Sequence, residues 1–202
     1  MLFSFYVNAE RRFQIWNKND VIINVWEKFD ISFSEKTHYS TNNNNLDLIF
    51  GDLFLFHKPL NWLDYGAGYR IAYANILKNS VQENRAMVIV NFKKNYNKFN
   101  FKFSNRFEHR AFKVDFDHFR FKQQFTVMFP PLTPWGMQFY TSEETFTKLN
   151  GDGTHLARFY GGISGFQNDN FQLKLYYAME KYKFIENWNT TDILGLNLSF
   201  MF

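Results

Sequence analysis

The sequence predicts an all-β fold, a transmembrane antiparallel up-and-down β-barrel of about 12 strands. Apolar and polar residues alternate with a period of two along most of the 202-residue chain, which is the pattern of strands with two different faces. The alternating stretches run for about 10–15 residues, whereas soluble strands usually have ~5–6 and membrane-barrel strands ~9–11. Aromatic residues make up 21% of the chain and fall mainly on the apolar faces.

The composition excludes several classes of site. The chain contains no cysteine, so it has no disulfide, thiol nucleophile or cysteine-ligated metal. A net charge of +4 is too small to indicate nucleic-acid binding. No apolar run approaches the ~18–20 residues of a membrane helix. We expect no cofactor and no metal.

The N-terminal residues predict export. Residues 1–9 begin with an apolar run and end in Asn8-Ala9, which resembles the end of a secretory signal peptide. The basic segment of such a peptide is missing, so an apolar tail is the alternative. Residues 10–202 show no linker or change of composition and are expected to form one domain.

The first half of the chain holds five alternating stretches, separated by clusters of turn-forming residues. These predicted strands lie near residues 13–26, 29–40, 46–57, 62–76 and 84–95. The predicted turns are Thr41–Asn45, Lys58–Asn61 and Leu77–Glu83.

The second half alternates more strictly. Residues 99–113 place Phe99, Phe101, Phe103 and Phe107 on one face, and charged side chains on the other. Further strands are predicted near 118–129, 135–149, 156–167, 171–182 and 194–202, with turns at Pro130–Pro134, Asn150–Thr154, Asn168–Asn170 and Asn187–Thr191.

The alternation of apolar and polar residues and the even strand number of known bacterial barrels disagree about how many strands the chain forms. The alternation gives eleven runs, but bacterial single-chain barrels have even strand numbers. Residues 10–26 would resolve the conflict if they formed two short strands split at Asn17–Asp20, which gives 12. If that segment lay outside the wall, the number would be 10.

The polar faces favour a membrane barrel over a soluble β-sandwich. They carry full charges in mid-strand between large aromatic residues, as expected for a wet lumen inside a lipid-facing wall. A sandwich would need a core made almost entirely of aromatic rings. Aromatic residues near strand ends are candidates for interfacial girdles: Trp62, Tyr65, Tyr69, Tyr73, Trp135, Tyr140 and Trp188.

If the phenylalanine faces point to lipid, the opposite faces predict a charged lumen. The inward set contains nine basic and three acidic residues: Arg70, Arg85, Lys102, Arg106, Glu108, Arg110, Arg120, Lys122, Glu144, Arg158, Lys174 and Glu180. In a narrow barrel these side chains nearly meet. They form either an ion-pair network that fills the lumen, or a basic constriction that selects anions.

An enzyme is not expected. Small membrane barrels that modify lipids need a nucleophile, a histidine and a group that orients the histidine. Ser142, His155 and Glu144 would lie on neighbouring strands, but no motif spacing supports such a triad.

The C-terminus resembles the signal by which the barrel-assembly machinery recognises outer-membrane barrels. Its apolar positions are Leu194, Leu196, Leu198, Phe200 and Phe202. The resemblance implies transient contact with that machinery and a final place in outer-membrane lipid.

A second resemblance covers most of the chain. Its motifs are Trp16, Gly66–Arg70, Asn105–Arg110, the strand 118–129 with Pro130-Pro131, Tyr140–Phe146 and Arg158–Gly162. In this order they resemble an uncharacterised family of bacterial outer-membrane barrels, the domain-of-unknown-function family 2490, with members mostly from Bacteroidota.

This resemblance implies a location in the bacterial outer membrane and no activity. We therefore expect a non-enzymatic structural or porin-like role, with a basic lumen that binds or passes small anions. The alternatives are a lipid-modifying outer-membrane enzyme and an accessory barrel that binds an outer-membrane protein partner.

Overall fold

The computed structural model describes residues 11–42, 44–76, 79–113, 117–151, 153–165, 170–184 and 187–202. The expected signal-peptide remnant at residues 1–9 lies outside these ranges. No helix in the described ranges is long and apolar enough to span a membrane.

The described residues form eleven strands that close into one barrel, each paired with its neighbours in the sequence. The strands are β1 Arg12–Trp26, β2 Phe29–Ser40, β3 Asn45–Leu60, β4 Leu63–Ile76, β5 Asn79–Tyr96, β6 Phe99–Phe112, β7 His118–Met128, β8 Gln138–Lys148, β9 Gly153–Gly165, β10 Phe171–Phe184 and β11 Asn187–Met201. The prediction of an all-β barrel is confirmed.

The expected number of 12 strands is wrong, and so is the alternative of 10, because the described chain has eleven. Residues 12–26 are one strand that does not break at Asn17–Asp20. Asn17 pairs in register with Thr37 on β2, and Lys18 and Asp20 point into the barrel, where they form an ion pair of 2.7 Å. The polar run is therefore a stretch of wall with polar residues on both faces.

The barrel is also not fully antiparallel. With an odd number of strands in sequence order, the first and last strands must run in the same direction where they meet. β1 and β11 pair in parallel from Arg12↔Thr191 to Ile22↔Met201, and every other neighbouring pair among the described strands is antiparallel.

Two predicted turns are largely strand. β5 begins at Asn79 rather than after Glu83, and β11 begins at Asn187 rather than after Thr191. Residues there pair directly with the preceding strand, as in Ile76↔Asn79 and Phe184↔Asn187. Pairing along a long hairpin outweighs the local preference of asparagine and threonine for turns.

The wall has an apolar outer face and a mainly polar inner face. Phe33, Val88 and Phe107 are exposed on the outside, whereas Asp52, Glu108 and other polar residues are buried on the inside. Most of the predicted girdle residues are exposed, but Tyr140 is 7% exposed and lies inside the barrel. Its neighbours in register on β9 and β7 are Gly162 and Met128, which also face inward.

Candidate functional site: the barrel lumen

A buried glutamate is the centre of the charge network inside the barrel. Glu108 on β6 is fully buried. Its carboxylate pairs with Arg106 at 2.5 Å and Arg120 at 2.6 Å, and Arg85 lies 3.3 Å away. A single unpaired charge here would cost several kcal/mol. Three guanidinium groups on three neighbouring strands balance the negative charge of this carboxylate.

The same network continues through Glu83 on β5. Its carboxylate accepts hydrogen bonds from Arg110 at 2.7 and 2.8 Å and from Arg85 Nε at 2.7 Å. Arg85 therefore joins the two carboxylates of Glu83 and Glu108. Three arginines lie side by side on β4, β5 and β6: Arg70, Arg85 and Arg110. The carboxylates of Glu83 and Glu108 therefore also reduce the electrostatic repulsion between these like charges.

A second network surrounds Glu144 on β8. Lys122 lies 2.5 Å from its carboxylate and Arg158 3.3 Å, and the hydroxyl of Tyr160 donates to it at 2.9 Å. Arg158 also pairs with Glu180 at 2.5 Å. Residues on β7, β8, β9 and β10 are thus connected through the lumen.

Arg70 is held separately by an acidic residue on β3. Its guanidinium donates two hydrogen bonds of 2.5 Å to Asp52 and lies 3.5 Å from the ring centre of Phe50. The two-pronged bond fixes the orientation of the planar group.

Among the described residues, sequence reasoning missed five acidic residues that form ion pairs inside the barrel. Three of them pair with lysines: Asp20 with Lys18, Asp30 with Lys58, and Asp64 with Lys93. The other two, Asp52 and Glu83, pair with arginines. Inward lysines were missed as well, among them Lys18, Lys36, Lys58 and Lys93, so the missed acids lower the expected net positive charge of the lumen only slightly. The pattern Asp30-x-Ser32-x-Ser34, opposite Ile31 and Phe33, was the available signal.

Aromatic side chains fill the middle of the lumen. Trp16, Tyr140 and Tyr176 pack with Ala178 and Ile193 in one buried cluster. Trp16 stacks on His38 at 3.8 Å between ring centres, and Tyr160 contacts Tyr176 at 5.4 Å. The five residues of the cluster are each at most 7% exposed, so little solvent reaches them.

A glycine makes room for one of these rings. A Cβ atom at Gly195 on β11 would overlap the ring of Tyr176. The ring of Tyr176 therefore lies over the adjacent Gly195, and any larger residue there would force the ring to move.

Ten of the twelve predicted lumen residues form ion pairs with one another or with the missed acidic residues. Lys102 and Lys174 differ, because no carboxylate among the described residues lies within 4 Å of either ammonium group. Lys174 lies 5.6 Å from the ring centre of Tyr140, and Lys102 is exposed to solvent within the barrel.

The residues of the predicted assembly signal lie on β11 and just after it. Leu194, Leu196 and Leu198 pair in register with the outward residues Tyr177, Leu175 and Leu173 of β10. Leu194, Phe200 and Phe202 are exposed on the outer face. The backbone of Phe202 bonds to Asn24 and Ile22 of β1, which holds the C-terminus in the seam.

The structure does not bring the three candidate catalytic residues together. Ser142 Oγ donates to the Phe125 carbonyl oxygen at 3.1 Å and lies 2.8 Å from Thr126 Oγ1. Its partner in register on β9 is Tyr160, five residues from His155, a separation of roughly 16 Å along a strand. Glu144 is occupied by Lys122 and Arg158. No group of three metal-ligating residues occurs in the part of the chain that is described.

Comparison with known proteins identifies the family alone. No curated protein and no solved structure matches the chain. A family model matches residues 13–192, which include all of β2 to β10 and most of β1. The chain therefore belongs to the family described as "Protein of unknown function (DUF2490)".

Proposed function

We propose that this protein is a non-enzymatic barrel of the bacterial outer membrane, with a structural role and a lumen that is closed at mid-height. The observation that carries this proposal is the exposed apolar outer face. Phe33, Leu53 and Val88 are each more than half exposed near the middle of their strands. A soluble protein rarely exposes so large a continuous apolar surface, but a lipid-facing wall requires one.

Closure of the wall supports the same proposal. In hydrocarbon every backbone polar group must find a partner within the protein, so a sheet that spans a membrane has no free edge. The parallel pairing of β1 with β11 supplies these partners at the seam. The exposed apolar residues of β11 fit recognition by the assembly machinery.

The filled lumen favours a closed barrel over an open pore. Glu108 and Ile193 are fully buried and Trp16 is 1% exposed, although all three point toward the barrel axis. Hydrated ions pass a pore only where water also enters it. The charge network therefore stabilises the wall from inside, and anion binding is confined to the lumen on either side of the closed level.

Refolding into lipid vesicles tests the proposal. The folded protein is expected to float with the vesicles and to migrate faster on a gel before heating than after it. Recovery of folded protein in the aqueous fraction without detergent would contradict a membrane location.

A polar patch on the outer face favours a second function, that of an accessory barrel with a protein partner. Asn17, Asn19, Glu35 and Thr37 point outward near mid-height on β1 and β2, where Asn17↔Thr37 and Asn19↔Glu35 are neighbours in register. A glutamate facing lipid at this depth is unfavourable. Cross-linking from position 35 in native membranes would test this function, and labelling by lipid alone would contradict it.

A further inference from the structure

The lumen between the aromatic cluster and the end of the barrel that holds the C-terminus is rich in lysine. We call this part the lysine chamber. Lys93 and Lys102 are direct partners in register on β5 and β6. On the other side, Lys18 and Lys174 are both partners of Asn197 on β11. Four ammonium groups thus enter the chamber from two sides of the barrel.

Carboxylates balance only part of the positive charge of these four lysines. Lys18 pairs with Asp20, and Lys93 pairs with Asp64. In the described ranges no carboxylate lies within 4 Å of Lys102 or Lys174, and Lys174 is repelled by Lys102 and Lys18 and attracted by the more distant Asp20. Four cations and two carboxylates leave two positive charges, and their repulsion destabilises the empty chamber.

Two buried polar atoms beside Lys174 have no hydrogen-bond partner in the described structure. They are Ser164 Oγ and Asn197 Oδ1, on the two strands that flank Lys174. Ser164 is fully buried. Unsatisfied buried polar atoms are unusual and mark strain or a place for a water, an ion or another ligand. The hydroxyl of Ser164 is a donor, and the amide of Asn197 offers a donor or an acceptor according to its rotation.

We propose that Lys18, Lys102 and Lys174, together with Ser164, bind a small doubly charged oxyanion of the phosphate class. The two uncompensated positive charges match a dianion, and Ser164 supplies a hydrogen bond to one of its oxygens. The inference rests on the proposed function, since it gives the anion-binding role of the lumen a location and a ligand.

The chamber lies near the C-terminal end of the barrel, because Lys93 and Lys102 are three residues from Tyr96 and Phe99, respectively, where β5 and β6 meet. A pocket of about 330 Å³ lies at this mouth and is lined by Ile22, Asn24, Asp30, Lys58, Asn170, Met201 and Phe202. Lys102 is exposed to solvent, whereas Glu108 on the same strand is fully buried. Solvent therefore reaches Lys102 but not Glu108, which places the proposed anion on the Lys102 side of the Glu108 network.

Calorimetric titration of the folded full-length protein with inorganic phosphate at low ionic strength tests this site. Saturable binding with one site per chain is expected. Lys102→Met and Lys174→Met are each expected to weaken it at least tenfold. The control is Lys181→Met, which removes an exposed lysine on the outer face of β10 and leaves binding unchanged. The absence of saturable binding, or an equal loss in the control, would overturn the proposal.

Thermal unfolding gives a second readout that separates binding from a structural role. Without phosphate, Lys174→Met is expected to raise the melting temperature, because it removes an uncompensated charge. With phosphate, the wild type gains stability and the variant does not. A variant that is less stable than the wild type without phosphate would show that Lys174 supports the fold instead, which overturns the proposal.

The source of the phosphate group is distinguished by a competing ligand. If the site takes a lipid headgroup, short-chain phosphatidate displaces phosphate at a lower concentration than glycerol phosphate does. If it takes a free solute, the two compete equally. Both titrations use whichever folded form is isolated, with or without detergent. Failure of the membrane proposal would therefore appear in the fractionation and failure of the site in the titration.

Discussion

Glu108 and Arg120 are direct partners in register on β6 and β7, and their side chains form an ion pair of 2.6 Å inside the barrel. Arg120 is 7% exposed and Glu108 is fully buried. Because Arg85 and Arg106 share the same carboxylate, removing Glu108 would leave three guanidinium groups near one another without their common acceptor.

Glu108→Ala is expected to lower the free energy of unfolding by about 3–5 kcal/mol, because it leaves buried charges uncompensated. Urea unfolding in vesicles, followed by tryptophan fluorescence, measures the change. The matched control is Glu143→Ala, since Glu143 is an exposed glutamate on the outer face of β8. We expect the control to leave stability unchanged or raise it. Similar losses in both variants would show that the Glu108 network contributes no special stability.

Gly195→Ala tests the packing of the aromatic cluster. The added methyl group would overlap the ring of Tyr176, so we expect a loss of about 1–3 kcal/mol. Gly161→Ala is the control, because a Cβ there has no atom within 4 Å and points outward. Its stability is expected to stay the same or rise by up to about 1 kcal/mol.

Adding Tyr176→Leu to Gly195→Ala is expected to recover part of the loss, since the smaller side chain vacates the space. Strictly additive losses in the double variant would contradict the proposed overlap. The same urea titration gives all three values.

Val88→Arg tests whether the outer face contacts lipid. Val88 is 55% exposed in the middle of β5. In a bilayer an arginine at this depth costs about 2–4 kcal/mol, whereas at an exposed position in water it would change stability by at most about 0.5 kcal/mol. Gln82→Arg, on the same face near the end of β5, is expected to cost about 0–1 kcal/mol. Equal effects at the two positions would argue against lipid contact.

The fold was predictable where one face of a strand is strictly apolar. The phenylalanines from Phe99 to Phe107 place β6 almost to its observed limits, Phe99–Phe112. The prediction fails at Asn17–Asp20, because polar residues on both faces of β1 look like a turn. Only pairing with β2 and β11 keeps this segment extended, and no local pattern reveals those partners.

The lumen was predictable in part for the same reason. Arg106, Glu108 and Arg110 alternate with phenylalanine or histidine, so their common face is readable from the sequence. The inward position of Tyr140 was not predictable from the sequence, because an amphipathic ring suits a membrane interface as well as a lumen. Which cations share Glu108 depends on the register of three strands, which the sequence of one strand does not contain.

Single-channel conductance in a planar bilayer tests most directly whether the lumen is closed. Vesicles that carry the folded protein, verified by flotation and heat-modifiable mobility, are fused to the bilayer. Because Trp16, Tyr176 and the Glu108 network fill the barrel at mid-height, we predict no steady current steps. Steady anion-selective steps, weakened by Arg106→Ala or Arg110→Ala, would contradict a closed lumen and establish an anion pore.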